Sequence, residues 1–158
     1  MFFFTNLIKR IINLKSKEIF FVEMYKSEIK IKFSDCDAGG RIFFARIFDY
    51  AHQTFEEFIN EKYSGNDFFN SPEFAVPIVK SSAVFLKPIL MHSKTDVILR
   101  ITEIREHSFS ITYYFETNKV VFAEVQTVHV FIDKSNDKKI PIPVNFKKLL
   151  AKYFSETN

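Results

Sequence analysis

The sequence predicts an α+β fold in which one long helix packs on one face of an antiparallel sheet of about five strands. Three observations point there. A strand pattern precedes a long amphipathic helical stripe, four further strand patterns follow with no helix between them, and the only other helical pattern in the domain ends it. At 158 residues the chain is long enough for one domain with a full core and too short for two comfortable ones.

Residues 1–23 open apolar, but Lys9 and Arg10 interrupt the run too early for a membrane span or a signal sequence, and no small-residue cleavage site follows. Leu7, Ile8, Ile11, Ile12 and Leu14 share roughly one face of a short amphipathic helix. Its apolar area is small, so the segment is expected to be a dispensable extension rather than a membrane anchor, with the working domain over 24–158. From Tyr25 to Phe33 polar and apolar residues alternate, as in a strand with one buried face. Residues 42–60 then space Phe44, Ile47, Phe48, Ala51, Phe55, Phe58 and Ile59 by threes and fours, which predicts the long helix.

A polar loop with Pro72 and Pro77 leads into the second half. Residues 78–86, 95–104, 108–117 and 120–132 are β-branched, aromatic and largely alternating, and read as four consecutive antiparallel strands. Arg105 to His107 is a short turn, and Asn118-Lys119 a tight hairpin turn. The tail passes through a polar loop and IPIPV into a short amphipathic helix, NFKKLLAKYF, whose lysines belong to a solvated face.

Composition narrows the function classes. Apolar residues make up 47% and charged ones 26%, within the ordinary globular range. The 21 Phe against no Trp carry no chemistry of their own. A net charge of +3 suits an anionic small molecule but lacks the concentrated basic stripe of a nucleic-acid binder. The single cysteine, Cys36, excludes an internal disulfide and a Cys-cluster metal site and fits a reducing, cytoplasmic setting.

The chemistry concentrates in FSDCDAGGRIFF, residues 33–44, between the first strand of the domain and the long helix. Asp35 and Asp37 lie one residue apart on an extended segment. No further Asp, Glu or His nearby completes a hard-metal shell, so no metal is expected. Aspartates before a helix commonly serve turns and caps, and that reading suits Asp35. For Asp37 a functional role competes, because Gly39 and Gly40 admit close backbone approach and the helix start behind them offers free N–H groups. A carboxylate beside such donors holds both halves of acyl transfer: a nucleophile or general base, and an oxyanion-stabilising dipole. Cys36 is a poor nucleophile here, since two neighbouring carboxylates raise a thiol's pKa. Asp49, His52 and Glu56 share a helix face at steps of three and four, a spacing common on polar faces.

The motif FSDCDAGGRIFF resembles that of the hotdog-fold acyl-CoA thioesterases of the 4-hydroxybenzoyl-CoA thioesterase family, F-x-D-x-D-x-x-G followed by a helix, with Gly40 as the pattern's glycine. VPIVKSSAVFLKPI, IREHSFSITYYF and AEVQTVHVFIDK with IPIP extend the likeness over roughly residues 25–150. The resemblance implies a hotdog fold and hydrolysis of an acyl-CoA, aromatic or fatty, to free acid and CoA, with no cofactor. It implies a homodimer or homotetramer in which a partner chain completes the site. It places the catalytic carboxylate, as nucleophile or base, on Asp37, and the carbonyl-polarising backbone N–H on Phe44, in the first turn of the long helix. It puts His52 on the acyl pocket and Arg105, His107 and Ser108 near the CoA phosphates. Arg41 stands where the family usually has an apolar residue, and Glu106 departs from the denser basic cluster of relatives. Two rival activities share the fold: a hydratase or dehydratase, which needs a His paired with the acid, and a non-catalytic acyl-thioester-binding module.

Overall fold

The computed structural model describes residues 10–11, 21–63 and 68–155. In chain order its elements are β1 (Arg10–Ile11), β2 (Phe21–Val22), β3 (Tyr25–Lys30), a 3-10 turn (Phe33–Asp35), α1 (Arg46–Lys62), β4 (Phe74–Ala75), β5 (Ile78–Phe85), β6 (Lys94–Ile104), β7 (Ser108–Thr117), β8 (Val120–Val130), β9 (Ile132–Asp133) and α2 (Val144–Lys152). Of the amphipathic helix expected near the N-terminus, Leu7, Ile8, Ile12 and Leu14 lie outside the described residues, whereas Arg10–Ile11 pairs antiparallel with Phe21–Val22 as strand.

The main sheet is antiparallel with order β3-β6-β7-β8-β5. The strands expected from the second half all form, but they do not pair in sequence order: β5 crosses to the far edge and runs beside β8, with Phe85 opposite Ala123 and Ser81 opposite Thr127. Its place beside β6 is taken by β3, which pairs Tyr25 with Leu99 and Lys30 with Lys94. The hairpin between β7 and β8 turns on Asn118 and Lys119, both with positive φ (51° and 65°), the backbone twist a two-residue turn needs.

Helix α1 lies on one face of this sheet. It buries Ile47, Tyr50, Ala51, Thr54, Phe55, Phe58 and Ile59 at helical spacing, against Val97, Leu99, Ile101, Ile111, Tyr113 and Phe115 from the sheet. Each fully buried Phe or Ile contributes about 1.5–3 kcal/mol relative to exposure. The phenylalanine surplus is spent here: Phe68, Phe109, Phe131 and Phe146 form one aromatic cluster that ties α2 to the sheet, with Phe68 and Phe146 stacked at 4.9 Å.

The helix begins at Arg46, four residues later than its apolar spacing predicts. Residues 35–43 explain the delay. Phe43 N–H donates to Asp35 O (2.8 Å), Cys36 bridges Ile42, and Asp37 N–H donates to Arg41 O (2.8 Å). This small hairpin takes up the backbone groups that a helix over 42–45 would use. Phe44 therefore stands just outside the helix, 62% exposed, instead of in its apolar stripe.

Candidate active site

The small hairpin faces the end of β5 and the segment after it. Ile42 N–H donates to Ile89 O (2.9 Å), Arg41 bridges Leu90, and Met91 N–H donates to Gly40 O (3.1 Å). Between them runs a groove of about 510 Å³, lined by Asp37, Arg41, Ile42, Phe43, Phe44 and residues 85–89. Asp37 and Phe44 thus share one cleft with a largely apolar wall and two cations, Arg41 and Lys87.

Asp37 is held by its own loop. Its Oδ1 accepts Gly39 N–H (2.8 Å) and Arg41 N–H (3.2 Å), while among the described residues its Oδ2 has no partner. The carboxylate is oriented through one oxygen and available through the other. Gly39 makes room for that carboxylate, and Gly40 carries the left-handed turn at φ 70°. The glycines expected to admit a ligand are thus shaped first by the needs of Asp37. The Phe44 N–H meets no acceptor among the described residues. It belongs to the turn entering α1, where Arg46 N–H bonds back to Phe43 O (2.9 Å), and not to the helix's first turn.

Asp35, expected to serve a turn or cap, sits instead in a buried network. It is 1% exposed. Its Oδ1 accepts Arg46 Nε (3.2 Å) and Nη2 (2.9 Å), and its Oδ2 accepts Lys32 N–H (2.8 Å) and the Tyr50 hydroxyl (2.5 Å). Burial works to raise this carboxyl, but the bonds from Tyr50, Arg46 and the Lys32 amide prevail and hold it below the usual carboxylate range. Burial and the Asp35 carboxylate in turn push the Tyr50 phenol up. Partial desolvation and the charges of Asp35 and Asp37 push the Cys36 thiol up, away from nucleophilic use.

The remaining expected residues do not line this groove. His52 sits on the exposed side of α1, with Nε2 3.2 Å from Glu56 and its ring 6.2 Å from that of Phe55. Asp49 pairs with Arg46 (2.7 Å), so the helix-face trio is two separate surface pairs. Arg105 pairs with Glu103 (2.7 Å), His107 Nε2 lies 3.6 Å from Glu106, and the Ser108 carbonyl accepts the Arg105 N–H. Arg105 and His107 lie in the β6–β7 turn, and Ser108 opens β7. Residue 94, near the groove, and residue 104, at the turn, are the two ends of β6, roughly 30 Å apart at strand rise. One chain therefore does not bring them to Asp37.

Sequence reading missed Lys87 and the wall from Phe85 to Ile89, which it took as a strand end and loop, and it missed Arg46 and Tyr50 as partners of Asp35. All of these act through contacts between segments distant in sequence, which leave no local signature. Among the described residues no group of His, Cys, Asp and Glu forms a metal cluster, and no helix is long and apolar enough to cross a membrane.

Residues 31–151 match the model of the thioesterase-like superfamily. A 1,4-dihydroxy-2-naphthoyl-CoA hydrolase of Nostoc punctiforme is 35% identical over 114 residues, covering 72% of this chain and 77% of its own. One from Microcystis aeruginosa is 27% identical over 77% of this chain and 88% of its own. The crystal structure of a 1,4-dihydroxy-2-naphthoyl-CoA thioesterase from Synechocystis superposes with a TM-score of 0.74 at 24% identity, over 81% of this chain and 96% of that one. With the five-stranded sheet laid against α1 and the match covering α1 and four of the five strands, β5 to β8, the chain is a hotdog-fold member of the thioesterase-like superfamily.

Proposed function

We propose that the acyl-CoA thioesterase activity of this chain is carried by Asp37 and the Phe44 N–H, and that its substrate is an aromatic acyl-CoA. The observation that carries the reading is their shared groove: a carboxylate with one oxygen fixed and one without a partner among the described residues, beside an N–H likewise without an acceptor among them. As nucleophile, Asp37 adds to the thioester carbonyl, the C–S bond breaks and CoA leaves as thiolate. Water then hydrolyses the mixed anhydride, releasing the acid and returning the carboxylate. As base, Asp37 takes a proton from the water that attacks directly. In either route the oxyanion forms against the Phe44 N–H, a donor with no other acceptor to give up.

The relatives named for a dihydroxynaphthoyl thioester favour an aromatic acyl group, and the apolar lining from Ile42, Phe43, Phe85, Leu86 and Ile89 suits a flat ring. Arg105, His107 and Ser108 serve the CoA phosphates from a second copy, since one chain holds them at the other end of β6. His52 lines the acyl side of the assembled site. The assembly is a homodimer, able to pair further into a tetramer, and acts in the cytoplasm, with residues 24–158 as the working domain. The hydratase reading would need a histidine paired with Asp37, and among the described residues of one chain none lines the groove.

Release of free thiol from 1,4-dihydroxy-2-naphthoyl-CoA, with benzoyl and long-chain fatty acyl-CoAs for comparison, tests the reading. Asp37→Asn is expected to lower kcat by about 10²–10⁴-fold. Turnover unchanged by that substitution would move the site elsewhere. An absence of turnover on every thioester would leave the binding-module reading in its place.

A further inference from the structure

Asp35 poses a physical question that its burial alone does not answer. A charged carboxylate held at 1% exposure is costly in a fold that an apolar side chain could fill more cheaply. Here it receives four side-chain and backbone donors from three residues on two segments: Lys32 just past the end of β3, and Arg46 and Tyr50 one turn apart at the start of α1. Its own carbonyl accepts the Phe43 N–H at 2.8 Å.

That last bond closes the small hairpin of 35–37 against 41–43. Asp37 follows Asp35 by two residues on one arm, and Phe44 follows Phe43 by one on the other. We infer that Asp35 is a positioning residue for the reaction: by fixing Phe43 through its carbonyl and Arg46 through its carboxylate, it sets where the Phe44 N–H stands relative to Asp37. This inference rests on the reading that Asp37 and Phe44 do the chemistry.

Two features of the network fit positioning better than bulk stabilisation. The Phe44 peptide lies between the two points that Asp35 holds, Phe43 and Arg46, so both ends of the two-residue span are pinned to one residue. Arg46 is also tied to Asp49 (2.7 Å), which fixes the guanidinium against the helix while its other edge grips Asp35. A shift of about 1 Å at a reacting group can cost around 100-fold in rate, so loosening this clamp is felt in turnover before it is felt in binding.

The test is steady-state hydrolysis by Asp35→Asn, Tyr50→Phe and Arg46→Lys, with thermal midpoints confirming that each is folded at the assay temperature. Positioning predicts kcat lower by about 10- to 100-fold with KM within about threefold, in every variant that folds. A merely structural Asp35 lowers the midpoint and leaves kcat per folded molecule unchanged, and that outcome overturns the inference. Should Asp35→Asn not fold, Tyr50→Phe and Arg46→Lys decide on the same criterion, since each keeps the carboxylate and alters one donor. Asp37→Asn in parallel separates the claims. Wild-type kcat in the clamp variants beside an inactive Asp37→Asn sinks positioning alone. Wild-type kcat in Asp37→Asn, or an inactive native protein, sinks the site on which positioning rests.

Discussion

A side chain at Gly39 would press on Asp37: a Cβ there would lie 3.2 Å from Oδ1, the oxygen that the Gly39 N–H already holds at 2.8 Å. The space is tight by a few tenths of an ångström, and the movable partner is the carboxylate itself. Gly39→Ala is therefore expected to lower kcat severalfold by displacing Asp37, with little change in thermal midpoint. Gly40→Ala is expected to do the reverse. Nothing lies within 4 Å of a Cβ at position 40, but its φ of 70° costs a side chain about 1 kcal/mol, read as a lower midpoint. Kinetics and melting curves on the two variants check the contrast.

His129 makes stability depend on acid. Its ring stacks on Phe109 at 4.8 Å and packs against Phe55 at 4.8 Å, with Nε2 2.9 Å from Thr127 Oγ1 and, among the described residues, no partner for Nδ1. Burial, with a smaller contribution from the His52 charge, pushes its pKa down to about 3 from 6.5. The folded protein keeps this ring neutral where the unfolded chain protonates it. Its contribution is full above about pH 6.5 and is lost as pH falls towards 3, with a slope of up to about 1.4 kcal/mol per pH unit. Denaturant unfolding between pH 7 and pH 4 is expected to show this loss, and His129→Gln to flatten it. An equally steep slope in the variant would place the titration elsewhere.

The proposed assembly is expected to form through the β5 edge. β5 has a neighbour on one side only, and Val79 and Val84 are 60% and 56% exposed on it, an open apolar edge of the kind that pairs with a second copy. The native protein is expected to sediment as a dimer or tetramer. Val79→Asp combined with Val84→Asp is expected to weaken assembly at least tenfold, about 1.4 kcal/mol, and, on the proposal that Arg105 serves the groove of a second copy, to lower activity with it. A monomer with full turnover would sink this account.

Much of the fold was legible because it follows from local rules. Alternation marked the strands, steps of three and four marked α1, and Asn118-Lys119 announced a tight turn that its two positive φ angles realise. At 33–44 residue type made Asp37 and the glycines candidates, and the likeness to the thioesterase motif put the expected acid on Asp37. What local rules overestimated was α1: the apolar spacing at Phe44 continues the helical stripe, yet the hydrogen bonds of the small hairpin outcompete another helical turn there.

Strand order, the groove and the Asp35 clamp came only from the tertiary structure. β5 leaves β6 to β3 and joins β8, and the wall from Phe85 to Ile89 meets the hairpin through single backbone bonds such as Ile42 to Ile89. Asp35 finds Arg46 eleven residues on and Tyr50 fifteen on. Such pairings are chosen by which apolar faces bury together and which buried polar groups find partners, conditions set by the whole chain at once. The sequence by itself determined the elements and marked Asp37 as a candidate. The closed fold decided that Asp37 shares a groove with Phe44, and that the buried Asp35 ties Phe43 to Arg46 on either side of it.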